Sequence, residues 1–462
     1  MKKSKFHMPT AYTILFLLII LVAVATWFIP AGAYDYVDGV PVAGSYHPVE
    51  PNPQGVGAVL TAAFHGFFDA VDVCVFILMV GGFLGVVMKT GAVDAGVGAV
   101  IRKLGGREKW LIPILMLFFG LGGSTFGMWE ETMAFYPLLL PVFLAAGYDA
   151  VVGISVILLG AGAGVLSSTV NPFATGIAAG FAGVSLGEGI ILRLIQWVVF
   201  EAAAIWFVMS YAAKVKKNPS RSVIGVGAGK LKSSMEEMVE FTAKRKVIMA
   251  VFAGTFIVMI YSVIPFDELG TPLPALGWWF PELSALFLVG GVIIGLIDRM
   301  GEEELAETFV AGCADMLGVS LIIGISRGIT VLMNNGAITD TVLHWGETAL
   351  SGAGPVAFVL LVYLIYLPLS FLIPSSSGLA TLSIPIIAPL GKFAGVGGDL
   401  VVTAFQSASG LVNIITPTAA VVMGALALGH VPYDRWLKFV WKLILYFLLL
   451  TMAFLAIGAI IG

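Results

Sequence analysis

The sequence predicts an all-α polytopic membrane protein: an inverted repeat with about nine transmembrane helices, two opposed re-entrant hairpins and two broken helices. Three observations carry that prediction. Of 462 residues, 59% are hydrophobic and 11% charged, against about 25% charged in ordinary globular chains, so the apolar surface needs a bilayer. Lys and Arg concentrate in a few segments between apolar runs, the pattern left by the positive-inside rule. Short motifs of the first half recur in the second at a constant offset. The same composition excludes a nucleic-acid-binding protein and a cytosolic enzyme, and a net charge of −4 recruits no polyanion. Cys74 and Cys313 stand alone in apolar segments, which gives neither a disulfide framework nor metal spacing. The 56 glycines suit close helix packing and interrupted helices.

The first apolar run, 10–31, follows Lys2, Lys3 and Lys5. At about 20 residues it spans the roughly 30 Å hydrocarbon core and exceeds a secretory h-region of about 7 to 15. It reads as a retained helix, which with an external loop makes up 1–56. Basic residues at the N-terminus, at Arg102, Lys103, Arg107 and Lys109, and in 214–246, where nine Lys or Arg face three Glu, place these segments in the cytoplasm. The stretches 34–53 and 265–282 hold acids and no Lys or Arg, and fall outside.

If every apolar run between 110 and 213 crossed the membrane, the basic linker would land outside, so one segment enters and returns. The segment 110–147 fits best: its run Gly120-Leu121-Gly122-Gly123-Ser124-Thr125-Phe126-Gly127 breaks the helix near its middle and leaves two short limbs. Non-helical backbone at that depth persists only where protein or a water-filled cavity satisfies it, so the tip lines a site. A crossing over 150–183 follows, interrupted at Ser167-Ser168-Thr169-Val170-Asn171-Pro172 into two half-helices. These elements form repeat 1, 57–213. The segment 214–300 holds the basic cytoplasmic linker and connecting helices. The linker orients the chain and touches anionic lipid, and its Gly225-Val226-Gly227-Ala228-Gly229 lacks the preceding strand of a nucleotide loop.

Repeat 2, 301–462, is legible by comparison. Met88-Lys89-Thr90-Gly91-Ala92-Val93 resembles Met333-Asn334-Asn335-Gly336-Ala337-Ile338, an offset of 245 between residues 88 and 333. The same offset relates Leu60 to Leu305, Phe64 to Phe309, Leu166 to Leu411 and Pro172 to Pro417. The second hairpin is then 357–394, with its tip at Pro374-Ser375-Ser376-Ser377-Gly378. The second broken helix is 398–427, interrupted at Asn413-Ile414-Ile415-Thr416-Pro417-Thr418. Counting crossings, repeat 1 starts outside and repeat 2 inside, which makes the repeat inverted. The N-terminus lies in the cytoplasm and the C-terminus outside, in a plasma membrane of the prokaryotic inner-membrane kind. Paired broken helices place a binding site near the midplane between the halves, and secondary transport of a small molecule is their natural use.

Glu130 and Glu131 sit deep in an apolar segment, where an acid costs on the order of a few kcal/mol. Adjacent helical positions diverge by about 100°, so at most one aims directly at a substrate, while the other pairs with a neighbour, binds a proton or caps a half-helix. A structural ion pair is the alternative use. A carboxylate in the cavity favours an ammonium or guanidinium group, hence a basic amino acid. Ser124, Thr125, Ser168, Thr169, Asn171, Ser375, Ser376, Ser377, Asn413, Thr416 and Thr418 bring neutral hydroxyls and amides to the four breaks, with Gly378 at the second tip. Such groups hold a carboxylate or a weakly bound cation, or equally bond back to their own helix. A sodium ion near Asn171 and Thr416 is one use. The sequence does not separate Na+ from H+ coupling or exchange, and requires no other metal and no cofactor. Arg327 lies in an apolar run and needs a cavity or an acidic partner, for which Glu130, Glu131, Asp69 and Asp72 are candidates and anion binding the alternative. His7, His47, His65, His344 and His430 show no ligand spacing, although His65 could carry a proton. No HExxH, and no GxSxG with a partner, suggests an enzyme.

At its hairpins and broken helices the chain resembles the YfcC and DcuC-type anaerobic carriers of the broad ion transporter superfamily, with the INDY and AbgT transporters as distant kin. The resemblance covers nearly the whole chain. It rests on Gly127-Met128-Trp129-Glu130-Glu131-Thr132, Ser168-Thr169-Val170-Asn171-Pro172, Pro374-Ser375-Ser376-Ser377-Gly378 and the early Gly44-Ser45-Tyr46-His47-Pro48-Val49-Glu50. It implies a scaffold and a moving transport domain working by an elevator-like displacement, a homodimer, and a basic amino acid such as arginine or ornithine as substrate. A C4-dicarboxylate held by Arg327 or the hairpin amides is the second substrate class it implies. Related carriers read Ser-Asn-Thr at both hairpin tips, whereas here the tips are Gly123-Ser124-Thr125 and Ser375-Ser376-Ser377.

Overall fold

The computed structural model describes residues 11–461 except 38–39, 43, 94, 97–98, 100–106, 126, 186, 226–239, 264–265, 267–271 and 279. The basic N-terminus, Arg102, Lys103 and most of the glycine-containing linker therefore lie outside the described residues.

Helix α1 (Ala11–Ala25) leads into two short antiparallel pairs, β1 (Gly32–Ala33) with β4 (His47–Pro48) and β2 (Tyr36–Val37) with β3 (Val40–Pro41). Helices α2 (Val56–Asp69) and α3 (Val71–Lys89) follow, meeting at a bend of 68°. They pack along the 34-residue helix α11 (Glu302–Asn335), and α10 (Phe280–Asp298) packs on α3. Small residues set these crossings: a Cβ on Gly66 would meet the Gly324 carbonyl oxygen at 2.2 Å, and one on Gly312 the Gly81 carbonyl oxygen at 2.3 Å. Backbones approach this closely only without side chains between them. With α9 (Ala243–Val263), which packs on α10, these helices form one group.

The second group is built on α4 (Leu111–Thr125), α5 (Tyr136–Ala145), α6 (Ala150–Leu166), α7 (Ile177–Ala182) and α8 (Ile190–Lys217). Helix α6 is buried along its whole length, as a sequence apolar on every face requires. Asp149 caps it, its carboxylate accepting from the Val152 N–H at 3.0 Å. Helices α12 (Thr339–Leu350), α13 (Pro355–Leu372), α14 (Ser376–Phe393), α15 (Gly398–Asn413), α16 (Ala420–Leu428) and α17 (Tyr433–Ile461) complete the chain. In this group α4 packs on α6, α13 on α15, α14 on α7, and α17 on α8 and α13. Helix α15 is buried too, and two of its polar side chains are paired across helices: Gln406 Nε2 donates to the Ser168 carbonyl at 2.9 Å, and Gln196 Nε2 donates to Ser407 Oγ at 3.0 Å.

Five helices among the described residues, α8, α10, α11, α13 and α17, are long and apolar enough to cross a membrane, and the bent α2–α3 pair makes a sixth. Helix α6 and Tyr12–Ala25 are apolar but shorter. One expectation fails in detail: the glycines of 120–123 do not break their helix, which runs through them to Thr125. They serve packing instead. A Cβ on Gly123 would meet the Ala161 carbonyl oxygen at 2.4 Å, and one on Gly164 the Gly120 carbonyl oxygen at 2.2 Å. The interruption falls just beyond, at Gly127, where φ is +77°.

Candidate functional site

A cavity of about 240 Å³ lies on the seam between the two helix groups. From the first group come Asp69 and Asp72 at the α2–α3 bend, Phe280 at the start of α10, and Ile323, Ser326 and Arg327 on α11. From the second come Gly127, Trp129, Glu130 and Glu131, then Val165 and Asn171, then Pro374 to Ser377, and finally Asn413 with residues 418–421. All four interruptions of the second group thus contribute, because only there does the backbone turn aside and release side chains and amide groups.

At the first interruption, Gly127 takes a left-handed conformation, and a Cβ there would fall 2.6 Å from Asn171 Oδ1. Both facts require glycine. The turn returns the Met128 N–H to the Gly122 carbonyl at 3.2 Å and leads into a 3₁₀ segment, Glu130–Phe135. Glu130 and Glu131 both border the cavity. They differ in attachment: Glu131 is buried and its Oε2 accepts from the Trp129 N–H at 3.1 Å, tying the carboxylate to the start of the segment.

At the second tip, Ser375 caps α14, its Oγ accepting from the Gly378 N–H at 3.2 Å. Ser375, Ser376 and Ser377 border the cavity, while Gly378 is spent on the cap and does not. Asn413 ends α15 and Thr418 precedes α16; Thr418 donates to the Phe371 carbonyl at 2.9 Å, and Ser326 Oγ donates to the Thr418 carbonyl at 2.6 Å. The N-terminal ends of α14 and α16 therefore both stand at the cavity, each bringing partial positive charge.

The remaining expected residues hold the breaks together instead of lining the cavity. Ser124 and Thr169 share a hydroxyl–hydroxyl bond of 3.1 Å, and the Thr169 N–H donates to the Ser124 carbonyl at 2.9 Å. Thr125 bonds back to the Leu121 carbonyl at 2.7 Å. Ser168 pairs with Thr175 at 2.6 Å, and Thr175 with Gln406. Thr416 pairs with Thr418 at 2.7 Å. Asn171 borders the cavity and Thr416 does not, and the described residues contain no cluster of three or more His, Cys, Asp or Glu suited to a metal. His65 is exposed, edge-on to Phe64 at 5.8 Å, and away from the cavity.

Charge is unevenly distributed around this space. Among the described residues that border it, Asp69, Asp72, Glu130 and Glu131 are the acids and Arg327 the one cation, its Nε 3.5 Å from Asp69 Oδ2. Arg327 thus has both a cavity and an acidic partner. Sequence reading reached Asp69 and Asp72 only as partners for that arginine, and missed Ser326, Trp129 and Phe280. Bulky aromatic and single hydroxyl positions in apolar runs carry no signal of facing a cavity.

The C4-dicarboxylate anaerobic carrier family matches the chain over residues 8–460. An uncharacterised protein of Haemophilus influenzae is 34% identical over 495 positions, covering 96% of this chain and 95% of its own. YfcC of Escherichia coli K12, whose name proposes basic amino acid antiport, is 31% identical over 479 positions, covering 94% of this chain and 93% of its own. Among solved structures, the YdaH transporter of Alcanivorax borkumensis aligns with a TM-score of 0.47 and 14% identity, covering 97% of this chain and 98% of its own. MtrF of Neisseria gonorrhoeae aligns at 0.46 and 17% identity, covering 97% and 95%. This chain is an integral membrane transporter of the DcuC and YfcC type, not an enzyme, and it belongs to the C4-dicarboxylate anaerobic carrier family.

Proposed function

We propose that the protein is a secondary active transporter of a basic amino acid of the arginine or ornithine kind, working by exchange or ion coupling. The observation that carries this reading is the composition of the seam cavity among the described residues: four carboxylates and one guanidinium, together with two helix N-termini. A carboxylate-rich wall attracts ammonium and guanidinium groups, while helix N-termini and the hydroxyls of Ser375, Ser376 and Ser377 suit an α-carboxylate. A basic amino acid has both ends. At about 240 Å³ the space is below the roughly 300–1,000 Å³ of drug-sized sites, as a small metabolite needs. The name of YfcC supports the same substrate class.

The second reading is a C4-dicarboxylate, which the family's description names. Arg327 would hold one carboxylate and the α14 N-terminus the other, with Asp69 released from the arginine. Four nearby acids oppose a dianion, which is why this reading stands second.

A seam between two helix groups suits an elevator-like displacement, in which the group holding α4 to α8 and α13 to α17 carries the substrate past the group holding α1 to α3 and α9 to α11. In this reading the hairpins are 110–147 and 357–394, re-entrant from opposite faces of a nine-crossing inverted repeat. The N-terminus is cytoplasmic, the C-terminus external, the membrane a prokaryotic inner membrane and the assembly a homodimer. The repeats are 57–213 and 301–462. The test is uptake of labelled arginine and labelled succinate into liposomes holding the purified protein, each with and without internal counter-substrate. Arginine uptake driven by internal basic amino acid or by an ion gradient is expected; succinate flux without arginine flux overturns the reading.

A further inference from the structure

Glu201, on α8, is 1% exposed, and neither carboxylate oxygen has a hydrogen-bond partner among the described residues. It differs in this from the other buried acids, since Glu131 accepts from the Trp129 N–H and Asp340 accepts from Tyr34 and Tyr36. Nor does any cation face it among the described residues. Helices α4 and α6, packed against α8, contain no charged residue. On α8 itself the nearest cation is Arg193, eight residues and about 12 Å earlier, where it faces Asp399. On α17, the aromatic rings that reach the level of Glu201 are Phe447 and Phe454, both against Phe200, while Lys442 is exposed over Trp441.

The site is nevertheless shaped for a carboxyl group. The carboxyl lies over Gly120, where a Cβ would come within 2.4 Å of Glu201 Oε2 and 2.7 Å of its Cδ. Any other residue at 120 would evict it. Four and five residues earlier on α8, Trp197 Nε1 and Gln196 Oε1 are also buried without partners among the described residues, so this stretch of α8 carries several unpaired polar atoms. On the far side of Gly120 lies Gly164, whose neighbour Val165 borders the cavity. The carboxyl is therefore separated from the cavity by the α4–α6 crossing and belongs to the same helix group.

We infer that Glu201 is a proton-binding site, distinct from the substrate cavity, and that its proton accompanies the movement of substrate. In these surroundings an ionised carboxylate with no partner and no counter-charge is costly and the neutral acid is not, so the proton is held here and leaves only when movement of the helix group changes those surroundings. The site binds one proton and releases the same proton, so no other reactant is needed. The transport half of the inference rests on the proposed transport function; the proton site itself does not.

The experiment pairs infrared spectroscopy of the purified full chain in lipid with flux in liposomes, on wild type and Glu201→Gln, with the elution profile and melting of both recorded. The wild type is expected to show the carbonyl stretch of a protonated carboxylic acid, shifted by deuterium and lost in Glu201→Gln. The ratio of uptake driven by a pH gradient to counterflow without one is expected to fall in the variant to the level of no gradient. A protonated-carboxyl signal that persists unchanged in folded Glu201→Gln overturns the site. A lost signal with an intact gradient response overturns its role in coupling. If Glu201→Gln does not fold, Gly120→Ala, which displaces the carboxyl from its seat without deleting it, replaces it: an unshifted signal overturns the site. Absence of any arginine or succinate flux in the wild type counts against the proposed function alone, because the infrared signal still decides the site.

Discussion

Arg327 Nε and Asp69 Oδ2 lie 3.5 Å apart, joining α11 to the end of α2 at the rim of the seam cavity. Half of the Asp69 side chain is exposed, so solvent weakens the pair to about 1 kcal/mol or less. It is loose enough to exchange partners. Asp69→Asn is expected to weaken the binding of a cationic substrate by no more than about tenfold, while strengthening competition by succinate through the freed guanidinium. Competition assays in liposomes check both directions, and Arg327→Ala should remove the succinate effect.

The α2–α11 crossing depends on the missing side chain of Gly66, where a Cβ would strike the Gly324 oxygen at 2.2 Å and the Gly328 nitrogen at 2.3 Å. Both are backbone atoms and cannot rotate away. Gly66→Ala is expected to cost about 1–3 kcal/mol, the range of overpacked sites. Gly254→Ala, with nothing within 4 Å of the new Cβ, should cost nothing. Thermal unfolding in detergent measures the difference between the two.

Ser375 serves the helix and the cavity at once. Ser375→Ala removes the α14 cap and is expected to destabilise the protein by about 1 kcal/mol, read as a lowered melting temperature. Ser375→Asp restores the cap but adds a fifth carboxylate to the cavity. It should recover the melting temperature while excluding dicarboxylates.

Between α1 and α2 the chain is clasped to α12. The buried Tyr34 hydroxyl donates to Glu347 Oε2 at 2.7 Å, Tyr36 donates to Asp340 Oδ1 at 2.9 Å, and Tyr46 stacks on His344 with ring centres 4.0 Å apart. Burial above all, then the hydrogen bond to Glu347, raises the Tyr34 phenol above its ordinary value; burial and Asp340 do the same for Tyr36. The folded state therefore binds these protons more tightly than the unfolded chain does. Their contribution is complete below the ordinary tyrosine value of about 10 and is lost as pH climbs above it. Stability should fall steadily as pH rises above about 10 in the wild type and less steeply in Tyr34→Phe/Tyr36→Phe, as unfolding followed across that range would reveal.

Residue types that break helices were the most legible part of the site. Asn171-Pro172 and Pro374-Ser375 announce interruptions because proline removes a backbone donor, and the paired acids Glu130 and Glu131 announce polarity at depth. Glycine was ambiguous for a physical reason: a residue without Cβ permits both a turn and a close helix crossing. Gly120 and Gly123 turned out to serve the crossing, and Gly127 the turn. The α2–α3 bend at Asp69 and Ala70 contains neither glycine nor proline, so nothing local marked Asp69 and Asp72 as wall residues. Hydroxyls were legible as a group and not singly, since Ser124 and Thr169 satisfy each other while Ser376 and Ser377 remain at the cavity.

In the proposed transport cycle the acids of the first interruption select a cation. Arginine counterflow into liposomes, compared in wild type, Glu130→Gln and Glu131→Gln at matched protein density, tests this most directly. Counterflow lost or reduced at least tenfold in one variant, about 1.4 kcal/mol of binding, is the predicted result. Arginine counterflow unchanged in both, or succinate counterflow that survives both with no arginine flux at all, would contradict it.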